Sequence, residues 1–248
     1  MSTSSDAPVY ILLGATGGIG SAVARRLSNE GAQLILGART TSDVEALAQE
    51  TGGDAFPLDA TNFDEVQSIV EHTTDNYDRF DGIVNLVGSI LLKPAHLTSL
   101  EEYHEQIRLN LDTAFHTVKA AGRPLMRKGG SIVLMTSAVA RTGLKNHEAI
   151  AAAKGGVVGL MRAAAATYAK RGVRVNCLAP GLVESRMSEQ ILSSEAGRKQ
   201  SEQMHAMGRV GTPDDVAPAI CWLLDPETDW VTGQIIGVDG GLGTVRTG

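Results

Sequence analysis

The 248-residue chain has little cysteine, no excess of positive charge and no long apolar run, and each shortage narrows what it can do. Its two cysteines, Cys177 and Cys221, lie far apart in apolar surroundings. That arrangement suits neither a disulfide framework nor a metal cluster, so both are expected to pack in a core and no metal site is expected. Lys and Arg number 22 against 28 Asp and Glu, a formal net charge of −6, and the basic residues are scattered. No field exists for a phosphate backbone or an anionic bilayer, so neither nucleic acid nor membrane is an expected partner. The segment Met1–Asp6 lacks the basic and apolar regions of a signal peptide, and no later stretch holds about eighteen apolar residues in a row. A soluble, cytoplasmic protein is expected. No internal repeat, low-complexity tract or interdomain linker interrupts the sequence.

What is present is a regular alternation. Apolar runs of strand length occur at Val9–Leu13, Leu34–Leu36, Ile83–Val87, Ile132–Met135, Val173–Leu178 and Ile235–Val238, separated by segments of helical period. This is the βαβ pattern of an α/β fold, a Rossmann-type doubly wound parallel sheet with helices on both faces. With 43% hydrophobic residues, the chain fits one domain spanning 1–248. Ile19, Val23 and Leu27 share one helix face, and Val66, Ile69 and Val70 share another, giving stripes that would cover the sheet. The segment Ala149–Ala169 is crowded with small residues and could meet another subunit. The segment 182–210 is largely polar and is expected to form a substrate lid.

After the first strand comes Gly14-Ala15-Thr16-Gly17-Gly18-Ile19-Gly20, followed by an amphipathic helix expected to begin at Gly18. Glycines here let the backbone turn tightly and bring amides and a helix amino terminus to a pyrophosphate. Further landmarks follow in order: Asp59-Ala60, expected to end the third strand; Asn85-Leu86-Val87-Gly88, ending the fourth; and Pro180-Gly181 after the sixth. Near the carboxyl end come Gly208-Arg209-Val210-Gly211-Thr212-Pro213 and Val238-Asp239-Gly240-Gly241. The spacing G-x-x-x-G-x-G and this succession resemble the short-chain dehydrogenase/reductase family over essentially the whole chain. The departures are modest: Leu13 stands before the first glycine in place of threonine, and Leu86-Val87 replaces Asn-Ala. The resemblance implies a nicotinamide dinucleotide bound by Gly14, Thr16, Gly18, Ile19, Gly20, Asp59, Ala60, Asn85, Val87, Gly88, Lys154, Pro180, Gly181, Val183 and Ser185. The choice between NAD(H) and NADP(H) falls at the end of the second strand. An NAD enzyme places a carboxylate there for the ribose hydroxyls, whereas this chain has Ala38 followed by Arg39, a partner for a 2′-phosphate. NADP(H) is favoured over NAD(H).

The family transfers hydride between nicotinamide and a carbonyl or alcohol with an Asn, Ser, Tyr and Lys set, tyrosine being the general acid/base. Asn110, Ser137 and Lys154 match three of the four. The tyrosine belongs thirteen residues after the serine and four before the lysine, and that residue is Ile150. Isoleucine has no proton to give. His147 lies seven residues before the lysine, where the enoyl-reductase branch places its tyrosine, and could donate a proton near neutral pH. Its plainer role is at the start of a long helix, with Asn146 as the cap. Two functions follow. One is an oxidoreductase with a non-standard proton donor, passing hydride to a carbonyl or activated alkene and weak on ordinary ketones. The other is an NADPH-binding pseudoenzyme acting as a sensor or assembly subunit. The resemblance also implies a homotetramer, through the small-residue helix and the helix expected to end near Arg127.

Overall fold

A computed structural model describes residues 7–246; the leader reading at Met1–Asp6 lies outside the described residues. Seven strands, β1 (Val9–Leu13), β2 (Gln33–Ala38), β3 (Asp54–Pro57), β4 (Gly82–Asn85), β5 (Gly130–Met135), β6 (Val173–Pro180) and β7 (Ile235–Val238), form one sheet. Their order is β3-β2-β1-β4-β5-β6-β7, and every pairing is parallel. The winding direction reverses between β1 and β4, which opens a crevice at the carboxyl ends of these strands.

The apolar runs are strands because both faces are covered. Along β1, Val9, Ile11 and Leu13 face one core, and Tyr10 and Leu12 face the other, as the two-residue period of a strand requires. The first core is closed by α3 (Phe63–Asn76), α5 (Thr113–Leu125) and α6 (Glu148–Tyr168). The second is closed by α1 (Gly18–Asn29), α2 (Thr41–Thr51) and α9 (Pro213–Leu224). Val23 and Leu27 of α1, and Val66, Ile69 and Val70 of α3, are buried as their spacing predicts, while Ile19 packs at the edge. Cys177 and Cys221 are buried, one in each core. The remaining helices are α4 (Leu100–Ile107), α7 (Glu189–Leu192) and α8 (Glu195–Met204).

Three boundaries differ from the sequence reading. β3 stops at Pro57, so Asp59-Ala60 lies in the loop beyond it, where the Asp59 carboxylate accepts from the Thr61 amide and hydroxyl, both at 2.9 Å. β4 stops at Asn85, whose side-chain oxygen accepts from the Val87 amide and turns the chain. Pro180 belongs to β6, opposite Val238. The cap is also different: α6 is preceded by His147 without a side-chain capping bond. Asn146 cannot cap it, because it sits in the left-handed region at φ 65° and its carbonyl accepts from the Lys93 amide at 2.8 Å.

By length and composition Glu148–Arg171 could cross a membrane. In this fold it is a core helix, with Val157, Met161, Ala164 and Ala165 buried against the sheet. Its outer face, carrying Ala152, Gly155, Gly159, Ala163 and Ala166, is exposed.

Candidate active site

The glycine loop joins β1 to α1 at the switch point of the sheet. Gly14 adopts φ +80°, and its amide and that of Ala15 donate to the Gly37 carbonyl at 2.8 and 3.1 Å. A Cβ on Gly20 would meet the Ala15 carbonyl oxygen at 2.7 Å, so the first turn of α1 closes on the loop only with glycine there. Gly17 precedes α1 without a side-chain capping bond, and the first turn holds no acid. The helix therefore presents open amides and the positive end of its dipole to the crevice, where an anion is stabilised. Thr16, Gly18 and Ile19 line this end of the helix, half-buried.

Across the crevice, β2 ends at the buried Ala38, the exposed Arg39 follows, and neither position carries a carboxylate. Burial raises the Asp59 carboxyl, but the two Thr61 hydrogen bonds and the charges of Arg39 and Arg108 outweigh it and hold the group below the usual carboxylate range. Asp59 is therefore ionised and already bonded. Ala60 is buried beside it, its carbonyl 3.1 Å from His116 Nδ1.

After β4, the Gly88 backbone runs between two polar atoms. A Cβ on Gly88 would lie 2.8 Å from Asn110 Oδ1 and 3.4 Å from Lys154 Nζ. Both side chains therefore converge on one point of the main chain. Asn110 reaches it because the helix between α4 and α5 widens into a π turn over Arg108–Asp112. Its side chain is buried, accepts from the Ser89 amide at 3.2 Å and donates to the Gln106 carbonyl at 3.0 Å. Ser89 and Gln106 were not legible as site residues: the Gln106 amide donates to Ser89 Oγ at 2.8 Å and locks that loop. The available signal was that Gln106 and Asn110 fall one turn apart.

Lys154 is buried in α6, and its ammonium donates to the Met135 carbonyl at the end of β5 at 2.9 Å. Removal from water pushes its pKa down to about 8. Nearby Cys177 is pushed up to about 12 by burial, so it remains a thiol and offers no counter-charge at neutral pH. Thr136, another residue that sequence reasoning missed, donates its hydroxyl to the Lys154 carbonyl at 2.9 Å and ties the helix to β5. Ser137 follows directly, its hydroxyl accepting weakly from the Val139 amide at 3.4 Å.

Ile150, one turn before Lys154 on α6, is 4% exposed. His147 is partly exposed at the start of the helix, and its Nδ1 lies 2.7 Å from the Lys145 carbonyl. That contact makes Nδ1 a donor and leaves Nε2 as the ring nitrogen not committed to the backbone. On the far side, Val183 bridges to Gly211, and Ser188 organises the turn by donating to the Val183 carbonyl at 2.7 Å and accepting from the Ser185 amide at 2.9 Å. The turn brings Ser185 within 3.4 Å of the place a Cβ would take on Gly18, so this segment borders the glycine loop. Gly181 follows β6, its amide donating to the Val238 carbonyl at 3.2 Å.

A parallel sheet with its switch point beside an uncapped, glycine-rich helix start, and with a buried lysine and asparagine converging across the crevice, defines a dinucleotide-binding oxidoreductase fold. Residues 14–243 match the model of the enoyl-(acyl carrier protein) reductase family. A 3-oxoacyl-(acyl-carrier-protein) reductase of Thermotoga maritima is 33% identical over 96% of this chain and 98% of its own length. A D-threitol dehydrogenase of Mycolicibacterium smegmatis is 31% identical over 95% of this chain and 93% of its own. Among solved structures, a short-chain type dehydrogenase/reductase from Mycobacterium ulcerans superposes with a TM-score of 0.91 at 30% identity, covering 96% and 90% of the two chains. An actinorhodin polyketide ketoreductase solved with NADPH gives 0.90 at 27%, covering 98% and 100%. The chain belongs to the short-chain dehydrogenase/reductase family.

Proposed function

We propose that this protein binds NADP(H) in preference to NAD(H) and is an oxidoreductase whose proton delivery differs from the tyrosine-based arrangement of its family. The observation that carries the reading is the buried Ile150 one turn before Lys154 on α6, in a chain that also holds Ser137 just beyond β5 and Asn110 converging with Lys154 on Gly88. Cofactor binding alone has no use for the serine, so its retention favours chemistry over a purely binding role.

The crevice fits the cofactor: the open α1 amides would take the pyrophosphate, and Arg39, with no carboxylate beside it on β2, would take a 2′-phosphate. Asp59, Ala60, Asn85, Val87 and Gly88 would border the adenine and ribose, Lys154 would hold the nicotinamide ribose, and Pro180, Gly181, Val183 and Ser185 would border the nicotinamide. The bound cofactor would supply the hydride. Ser137 would orient the substrate oxygen and the segment 182–210 would close over it. Negative charge building on that oxygen then lacks a phenol, which removes roughly 10²–10⁴-fold of acid catalysis. Ordinary ketones are accordingly poor substrates. A carbonyl or activated alkene that draws its proton from His147, from water or from its own acidic group is the better fit.

The test is titration with NADPH and NADH by fluorescence, followed by NADPH oxidation with small ketones, diketones and quinones. NADPH should bind more tightly, and Arg39→Ala should remove the preference. Ile150→Tyr should raise ketone reduction, with Lys154 and Ser137 already spaced to use the phenol. Equal affinities would sink the cofactor assignment, and rapid ketone reduction by the natural protein would sink the altered-chemistry reading. A gain only in Ile150→Tyr, with no activity in the natural protein, would favour the binding-protein alternative.

A further inference from the structure

His205 ends α8, and its ring is almost completely buried. Nδ1 lies 2.7 Å from the Ser201 carbonyl, and Nε2 lies 3.1 Å from the Leu182 amide. A carbonyl can only accept and a backbone N–H can only donate, so the ring carries its proton on Nδ1 and offers the lone pair of Nε2. Only the neutral imidazole satisfies both partners.

The position of the ring gives that bond leverage. A Cβ on Gly181 would come 2.6 Å from Nε2, and one on Gly240 would come 3.4 Å from the ring. The imidazole thus fills the gap between the chain leaving β6 and the chain leaving β7. Two neighbouring backbone bonds, from Gly211 to the Leu182 carbonyl at 2.9 Å and from Met207 to the Gly240 carbonyl at 3.0 Å, belong to the same junction. The Leu182 amide is where the segment 182–210 departs from Pro180-Gly181.

The charged groups around the ring are already committed. From the turn after β7, the Asp239 carboxylate accepts from the Gly241 and Gly243 amides at 3.0 and 3.1 Å. From the approach to α9, Arg209 pairs with Asp215 at 2.7 Å, and both line the cavity that His205 borders. On α8 itself, Arg198 pairs with Glu184 at 2.7 Å and approaches Glu202 at 4.0 Å. Arg141 lies against Gly237 of β7. Among the described residues none of these groups bonds to the imidazole.

We propose that His205 is a positioning residue that latches the two ends of the segment 182–210 together beside the carboxyl end of β6, and that the latch opens on acidification. A proton added at Nε2 turns that atom into a donor facing the Leu182 N–H. The bond is lost and two donors confront each other, which leaves the Leu182 amide unpaired and loosens the backbone around it, although the Gly181, Val183 and Glu184 bonds to Val238 and Gly211 remain. That backbone borders the cofactor in the function proposed above, so cofactor affinity should fall together with the latch.

Amide hydrogen exchange on the cofactor-free protein tests this without relying on that function. Protection of the Leu182 amide, corrected for intrinsic exchange, should fall roughly tenfold on acidification from about pH 8 to about pH 5. The Cys177 amide, bonded to the Gln234 carbonyl within the sheet, should stay protected. His205→Gln, whose carboxamide can accept from one partner and donate to the other without titrating, should keep Leu182 protection flat with pH. A flat wild-type profile, or a glutamine variant that falls as steeply as wild type, overturns the latch. The wild-type series decides alone if the variant does not fold. NADPH titration over the same range separates the two proposals: no binding at any pH refutes the cofactor assignment, while pH-independent binding and exchange refute the latch only.

Discussion

Replacing Lys154 with methionine measures the energetic cost of the buried ammonium. In the folded chain the group loses its proton near a pKa of about 8, whereas the unfolded chain holds it until about 10.5. Between these values the unfolded state binds more protons, so unfolding becomes harder as pH rises. The stability is thus complete above the unfolded value and is lost as pH falls through the folded one. With both ionisations counted, the wild type should gain about 2.5 kcal/mol between pH 7 and pH 10 relative to Lys154→Met. Methionine is of similar length and apolar, and it forfeits one hydrogen bond to the Met135 carbonyl, worth about 1 kcal/mol net. At pH 7 the charged lysine costs about 3.4 kcal/mol by this linkage, so after the lost hydrogen bond the variant should be the more stable protein by about 2 kcal/mol, a difference that vanishes by pH 10. Cys177 remains a thiol throughout, so no thiolate forms to mask the effect. Urea unfolding of the cofactor-free proteins at fixed concentration, followed by far-ultraviolet circular dichroism, gives the two stabilities. Indole fluorescence is a poor reporter here, because Trp230 is 95% exposed and Trp222 is 45% exposed. A gap that stays constant within about 0.5 kcal/mol from pH 7 to pH 10 would refute the reasoning and mean that water reaches the ammonium.

Gly20→Ala should cost about 1–3 kcal/mol and abolish NADPH binding, because the new methyl group collides with backbone oxygens of the loop rather than with a side chain that can move; thermal unfolding and cofactor titration check both effects. The exposed small-residue face of α6 is expected to pack against another copy in a homotetramer, so light scattering on the wild type should give four times the 26.1 kDa chain mass. Gly159→Arg, placed where a Cβ meets nothing within 4 Å, should lower that mass without unfolding the chain. A monomeric wild type at micromolar concentration would contradict the assembly.

Most of the sheet was legible in the sequence because β1, β2, β4, β5 and β6 are buried on both faces and read as apolar runs, while β7 is only partly buried but is still an apolar run. β3 was harder to read: Asp54–Pro57 is short and only partly buried, so composition marks it weakly, and its end was placed three residues late. The glycine loop was legible because its spacing follows from the turn it makes, whereas Asn110, Ser137 and Lys154 were singled out by resemblance to the family, and the structure brings Asn110 and Lys154 to one point of the main chain. Spacing does not disclose what bonds to what. The π turn that swings Asn110 inward, the Gln106–Ser89 contact and the Thr136 tie to α6 are pairings across the chain, invisible to a local pattern. Asn146 misled for a related reason. Its residue type favours a cap, but the Lys93 amide draws its carbonyl away and leaves it in the left-handed region that asparagine tolerates.

The two anomalies of the site bear on each other. A lysine held 7% exposed, with no carboxylate bonded to it, is an expensive residue, and an apolar replacement would cost the fold less. In the family arrangement a phenol one turn away gives that charge a purpose, since a nearby ammonium makes the phenol more acidic. Here Ile150, one turn before Lys154 on α6, offers no phenol for that charge to act on. A chain that needed only a stable fold would have no reason to keep the lysine. Its burial here, with Asn110 drawn toward the same point by a helix distorted into a π turn, is the arrangement that a ligand-holding role would explain. A ribose hydroxyl pair accounts for Lys154 in both functional readings, the enzyme and the binding protein. Ser137 is different, because its hydroxyl has only a weak 3.4 Å contact within the chain and stands free to bond elsewhere. The distinction between the two readings therefore rests on the serine, and on whether the space in front of it admits a substrate oxygen beside the Ile150 side chain.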